Sequence, residues 1–214
     1  MKQVQPKAPQ LSSDALEPCD LSEIELRAEA DWSHLRATGL ASGEARDAIF
    51  DEIEWQSARL GAVNWERASW RDCHFNSCDL AGAQAARIAV TRSEFSDCRI
   101  KGLGASESDW SDVSFRDCNL AGAHLRFSRW KLCRFTDCDL SGSDWSNADA
   151  RGLVFHGCDL RGANFNFAQL NGTDWRGCQT EKLQINAKAL KGLICEPLQA
   201  AQFARVLGLD VRWE

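Results

Sequence analysis

No stretch of this 214-residue chain is apolar for long enough to cross a bilayer, and no apolar leader-type segment lies near its N-terminus. A cytoplasmic protein with no membrane association is therefore expected. Histidine is scarce, and the four present (His34, His74, His124, His156) lie tens of residues apart with no Ser-His-Asp arrangement around them. No phosphate-cradling glycine loop appears either. The ten cysteines include no Cys-x-x-Cys, and no His-x₃₋₅-His accompanies a cysteine pair, which excludes the usual zinc spacings. These absences predict a protein that is not an enzyme and carries no cofactor or metal. The most informative absence is of charge. From Trp55 to Ile185 no charged residue stands at any fifth position, nor at the position two before it.

What is there instead is a single frame. Trp55, Leu60, Trp65, Trp70, Phe75, Leu80 and every fifth residue onward to Ile185 are apolar, with Thr180 as the one exception. Two residues earlier sits a small or aliphatic residue, as at Cys78, Ala83, Cys98, Val113, Cys118, Ala123, Cys138 and Cys158. A helix cannot use this spacing, because five residues advance about 500° and successive centres would spiral around the axis. A straight strand cannot either, since five is odd and centres would alternate between faces. The spacing works only if the chain turns a corner once per pentad and winds around its own filled centre.

A longer period sets the number of sides. Phe75, Phe95, Phe115, Phe135 and Phe155 recur every twenty residues, as do Cys78, Cys98, Cys118, Cys138, Cys158 and Cys178. Four pentads make one coil, so equivalent residues stack in ladders, and at roughly 4.8 Å per coil the frame forms a rod of roughly 32 Å. Gly82, Gly102, Gly122, Gly142 and Gly162 fall two after a centre, at a corner, where a positive φ is useful. Asp97, Asp117 and Asp137 share another corner ladder, where their side chains are expected to bond local N–H groups. Eight cysteines fall in the small inward position and read as compact packed hydrophobes. Ser93, Ser108, Ser128 and Ser143 in the same position read as hydroxyls bonded to backbone.

The motifs Cys78-Asp79-Leu80, Cys118-Asn119-Leu120, Cys138-Asp139-Leu140, Cys158-Asp159-Leu160 and Ala163-Asn164-Phe165 resemble the A(D/N)Lxx repeat of the pentapeptide-repeat family. The resemblance implies an all-β fold, a right-handed quadrilateral β-helix of four pentads per coil, with a short C-terminal α-helix. The tail from Leu190 through Leu193, Ala200, Leu207 and Leu209 is similar to the C-terminal segment of the quinolone-resistance (Qnr-like) branch. That similarity implies a homodimer joined through a C-terminal helix, and a DNA mimic that binds and protects DNA gyrase or a related topoisomerase. Many members of that branch interrupt the frame with loops that contribute to topoisomerase protection. This chain departs from them, since nothing is inserted between Trp55 and Ile185.

The remaining readings come from the residues. The net charge of −6 resides entirely in residues 1–52, which hold eleven acidic and five basic groups, while residues 53–214 sum to zero. An acidic surface must therefore be local, and the outward Asp139, Asp144, Asp149 and Asp159 are its candidates, with Arg151 and Arg161 at their corners. Phe127, Leu132 and Phe167 sit two after a centre and should point outward, Phe127 and Phe167 two coils apart on one ladder. They are candidate contacts for a partner protein, unless a terminal segment folds over them. Residues 1–13, with Pro6 and Pro9, read as a mobile tail. Residues 14–52 read as irregular coils or a cap, with Ser33/Leu35 and Thr38/Leu40 back in the main frame and Gly43 to Ile53 either a short helix or degenerate coils. Residues 53–190 form the β-helix. Residues 191–214 hold a helix whose Ala200, Phe203, Val206, Leu207 and Leu209 cover the last coil or meet a second subunit. Two functions follow: a gyrase-guarding DNA mimic, or a general protein-interaction scaffold with no topoisomerase role. Neither binds nucleic acid directly.

Overall fold

The computed structural model describes residues 5–11 and 16–212. The described residues form ten parallel strands: β1 (Glu17–Asp20), β2 (Asp31–Thr38), β3 (Ile49–Gln56), β4 (Ser69–Arg71), β5 (His74–Asn76), β6 (Ala89–Ser96), β7 (Asp109–Arg116), β8 (Arg129–Lys131), β9 (Arg134–Thr136) and β10 (Val154–His156). They make one sheet in the order β1-β2-β3-β4-β6-β7-β9-β10, with β5 beside β3 and β6 and β8 beside β7. From β3 onward partners are twenty residues apart, as at Trp110↔Trp130 and Phe115↔Phe135. These strands cover two adjoining walls. The other two walls are held by single bridges at the same offset, among them Asp79↔Arg99, Asn119↔Asp139, His124↔Asp144 and Asn164↔Gln184. The result is a four-sided parallel β-solenoid of about seven turns.

From Arg67 to Lys182 each corner is made by the residue two after a centre, which takes the left-handed region whether it is glycine or not: Asp97 at φ 54°, Gly102 at 67°, Phe127 at 58°. The local side-chain bonds expected of Asp97, Asp117 and Asp137 are made elsewhere. They come from the outward Asp or Asn before each centre, whose Oδ1 accepts the N–H two residues on: Asp79 from Ala81, Asn119 from Ala121, Asp139 from Ser141. That geometry explains the D/N of the repeat. A short side chain starts the corner from the wall, and a residue already in the left-handed region has no need of it.

Inside, Phe75, Phe95, Phe115, Phe135 and Phe155 form a column of near-parallel rings with centroids 4.4, 4.7, 4.7 and 5.0 Å apart. The rise per coil matches the contact distance of stacked rings, and tryptophans such as Trp110 and Trp130 pack beside this column. The thiols of Cys98, Cys118 and Cys138 each donate to the carbonyl two residues back at 3.2 Å. Ser93 does the same at 3.0 Å to Thr91, as expected for a packed hydroxyl.

The N-terminal turn departs from the frame. β1 pairs with β2 and β2 with β3 at an offset of eighteen, placing Leu35 opposite Ile53 and Ala37 opposite Trp55. Leu40 bridges Arg59, an outward position, and is exposed, so Thr38/Leu40 is not a pentad of the main frame. The inward residues there include Ala37, Ala41 and Ala45, four apart and all buried, beside the buried Leu21 and Leu26. Alanines leave the first turn a narrower centre, which a shorter coil can enclose. Gly43 to Ile53 is coil and strand, and the regular frame begins at Ala45.

At the other end α1 (Pro197–Ala204) lies over the last coil. Gln199 is buried and its Nε2 donates to the carbonyls of Trp175 and Cys178, both at 2.9 Å, while Phe203 packs edge-on against Trp175 at 6.0 Å. The Cys178 carbonyl thereby gains its donor, and the Trp175 carbonyl, which also accepts from the Cys178 N–H at 3.1 Å, gains a second.

Candidate interaction surface

Because the centre is filled, the outward positions and corners are what the molecule presents, and arginines answer many of their carboxylates. Asp47–Arg67, Asp51–Arg71, Asp72–Arg92, Asp79–Arg99 and Asp109–Arg129 each join residues one coil apart. Towards the C-terminus the pairing moves inside a pentad, as Asp149–Arg151, Asp159–Arg161 and Asp174–Arg176. The Arg71 hydrogen bond holds the Asp51 carboxyl below its ordinary range, and Arg151 and Arg161 do the same for Asp149 and Asp159.

The four candidate aspartates do not form one face. Asp139 and Asp159 stack on one wall, bridged to each other, but Asp144 projects from the next wall and Asp149 from the one after. Pentads step around the coil, so residues five apart occupy adjoining walls. Asp144 also accepts from Asn164 Nδ2 at 3.2 Å and faces Arg126 at 3.8 Å.

Phe127 and Phe167 share a corner and are 51 % and 66 % exposed, the most open aromatic rings among the described residues. No described segment folds over them. The guanidinium of Arg126 stands 5.7 Å from the Phe127 ring, so a basic group and the Asp144 carboxylate border this aromatic edge. Leu132 belongs to the next corner, half-buried beside Trp110 and Trp130, and is not part of the edge.

The C-terminal candidates divide. Phe203 is buried and faces inward against Trp175. Ala200, Val206, Leu207 and Leu209 are exposed, and Leu198 and Ile194 join them. The sequence reading missed Leu198 and Arg126. With Gln199 and Phe203 four apart on the buried side of α1, a helical projection would have turned Leu198 outward.

The histidines stay apart, and no group of three or more His, Cys, Asp or Glu side chains among the described residues is placed to hold a metal. Burial pushes the thiols of Cys73 and Cys133 up to about 12, so they are protonated at neutral pH. No helix among the described residues is long and apolar enough to cross a membrane.

A model of the "Pentapeptide repeat region" matches residues 68–133 and 128–201, more than half of the chain. The chain belongs to the pentapeptide-repeat family. Among solved structures of pentapeptide-repeat proteins, a trypsin-treated variant of QnrB1, described as a plasmid-mediated fluoroquinolone resistance protein, is similar at 19 % identity with a TM-score of 0.54. The likeness covers 92 % of this chain and 98 % of that one. HetL, involved in heterocyst differentiation regulation in the cyanobacterium Nostoc sp. strain PCC 7120, is similar at 24 % identity with a TM-score of 0.40. It covers 82 % of this chain and 76 % of its own. No curated protein matches the chain. The family match and the likeness to QnrB1 support the solenoid, and the partner is argued from the surface.

Proposed function

We propose that this pentapeptide-repeat protein acts without catalysis, as a rod that recognises another protein through its outer surface. The observation that carries the reading is how the surface is divided. Most wall carboxylates, with Asp139 and Glu94 as exceptions, are engaged by arginines, whereas Phe127 and Phe167 stand exposed along one corner. Open aromatic rings at a fixed spacing on a rigid support are what a protein contact uses as anchors. Ten free thiols suit a reducing compartment, and we assign the protein to the cytoplasm. A photo-crosslinking side chain placed at Phe127 should trap one protein in living cells, and F167S should abolish the trapping. The same product from a probe at Gly102, on a different corner, would sink the proposal.

A second reading is supported by the likeness to QnrB1 over nearly the whole chain: a DNA mimic that shields a gyrase-type topoisomerase from an inhibitor. The stacked Asp139 and Asp159 would carry it. A gyrase supercoiling assay with and without a fluoroquinolone separates the two. Relief of inhibition at low stoichiometry, lost in D139N/D159N, supports the mimic; no effect leaves the interaction rod. In either case we propose a homodimer formed by the exposed Leu198, Val206, Leu207 and Leu209. Sedimentation of L207E/L209E should show a monomer, and an unchanged dimer would place the contact elsewhere.

A further inference from the structure

Residues 5–11 lie against the rod, with two contacts that tie them to one corner ladder. The Gln10 N–H donates to Asp72 Oδ1 at 3.1 Å and the Lys7 N–H to Asp112 Oδ1 at 3.4 Å. Asp72 and Asp112 are forty residues apart, hence two coils, or about 9.6 Å along the axis. The donors are three residues apart, and one turn of a polyproline II helix is three residues at about 3.1 Å each, or about 9.3 Å. The two periods match. Pro6 and Pro9 are also three apart, each immediately before a donor, and both are half-buried while Lys7, Ala8 and Gln10 are exposed. Proline fixes its own φ near −65° and biases the residue before it to the extended region, so Gln5 to Pro9 is shaped for this conformation before it docks. Each Pro-x-x step therefore advances two coils and returns the same side of the segment to the rod.

The ladder continues past Asp112 through Leu132 and Gly152. A depression of about 590 Å³ on the adjoining wall, over Trp110 and Trp130 and beside the Asp109–Arg129 and Asp149–Arg151 pairs, opens onto it at those two rungs. We propose that this corner is a receptor groove for an extended Pro-x-x-Pro segment of a partner protein, held by its main-chain N–H groups on Asp72 and Asp112, and that residues 5–11 occupy the groove in cis. The inference stands on the match of periods and is independent of the aromatic edge at Phe127.

Fluorescence anisotropy tests it with a labelled peptide of residues 5–11, titrated with three full-length chains: unaltered, P6S/P9S, and P6S/P9S carrying D112G. Glycine is tolerated at that corner, since Gly152 and Gly172 occupy later rungs of the same ladder at positive φ. Circular dichroism confirms that each variant is folded. The P6S/P9S chain, its groove vacated, should bind the peptide at least tenfold more tightly than the unaltered chain, and D112G should reverse at least fivefold of that gain. Equal binding to the first two chains, no binding to P6S/P9S, or indifference to D112G overturns the proposal.

Discussion

Phe115 is the residue on which the solenoid's interior can be tested most severely. It is buried at the middle of the column, stacked on Phe95 and Phe135 at 4.7 Å each, with Trp110 at 5.8 Å and Trp130 at 6.2 Å to its sides. Truncating a buried phenylalanine to alanine costs about 3–5 kcal/mol, depending on how far the site collapses. Here collapse is resisted, because each neighbouring ring is pinned by strands at a fixed coil spacing. The upper part of that range, about 4–5 kcal/mol, is therefore expected for F115A. With a urea m-value of about 2–3 kcal/mol/M for a chain of this size, the midpoint should fall by about 1.3–2.5 M. F127A, which removes an exposed ring, should stay within about 0.5 kcal/mol of the unaltered protein. Urea unfolding followed by tryptophan fluorescence and far-UV circular dichroism reads both. Because contacts in a solenoid pass only between neighbouring coils, F95A/F115A should cost about 0.5–1.5 kcal/mol less than the two single changes added together, the stacking term they share. A midpoint for F115A within 0.3 M of that for F127A would refute the reasoning.

Three further outcomes follow from the same contacts. In a thiol-reagent titration of the folded protein, only the half-buried Cys19 and Cys195 should react appreciably, and all ten should react once the chain is unfolded; fast reaction of Cys133 would contradict its burial. Asp51, Asp149 and Asp159 have carboxyl values lowered on folding, chiefly by hydrogen bonds from Arg71, Arg151 and Arg161. Their contribution is complete above the unfolded value near 4 and is lost as pH falls through the lower folded values, so stability should be level from about pH 5 to 7 and decline below about 4. A stability that rose on acidification through pH 4 would reverse the assigned sign. Gln199→Leu should destabilise by about 1–3 kcal/mol, since it orphans the Cys178 carbonyl and removes one of the two donors to the Trp175 carbonyl while keeping most of the side-chain volume; an unchanged melting temperature would show that α1 does not seal the end.

The regular part of the rod was legible because its geometry repeats. A centre such as Phe115 and a slot such as Cys118 are fixed by period alone, and the twenty-residue ladders follow. Charge was half legible: the offset that stacks Phe95 on Phe115 also pairs Asp79 with Arg99 and Asp109 with Arg129, yet Asp139, Asp144 and Asp149 looked like one surface because they are close in sequence. In a four-sided coil, nearness by five means a different wall. The N-terminal turn was illegible for a packing reason. Ala37, Ala41 and Ala45 carry too little volume to announce a frame, and they permit a coil of eighteen residues that puts Leu40 outside. The expectation of a mobile tail over residues 1–13 falls partly outside the described residues, and its described part, 5–11, touches Asp72 and Asp112. Contacts between segments so far apart leave no trace in any local pattern except the spacing of Pro6 and Pro9. At the C-terminus, Phe203 was read as covering the last coil or as a subunit contact, and packing against Trp175 selects the first.

The account rests on the pentad as a unit of turning and on the coil as a unit of stacking, and a pair of deletions tests that directly. Removing residues 99–118 takes out one whole coil and joins Cys98 to Asn119 with every inward and outward position preserved. Removing Ala105 alone takes out one residue and shifts the frame between two coils. Thermal unfolding followed by circular dichroism should show the twenty-residue deletion folded and cooperative, and the single-residue deletion destabilised by several kcal/mol or unfolded. The opposite order, with the single deletion tolerated and the coil deletion unfolded, would contradict the architecture.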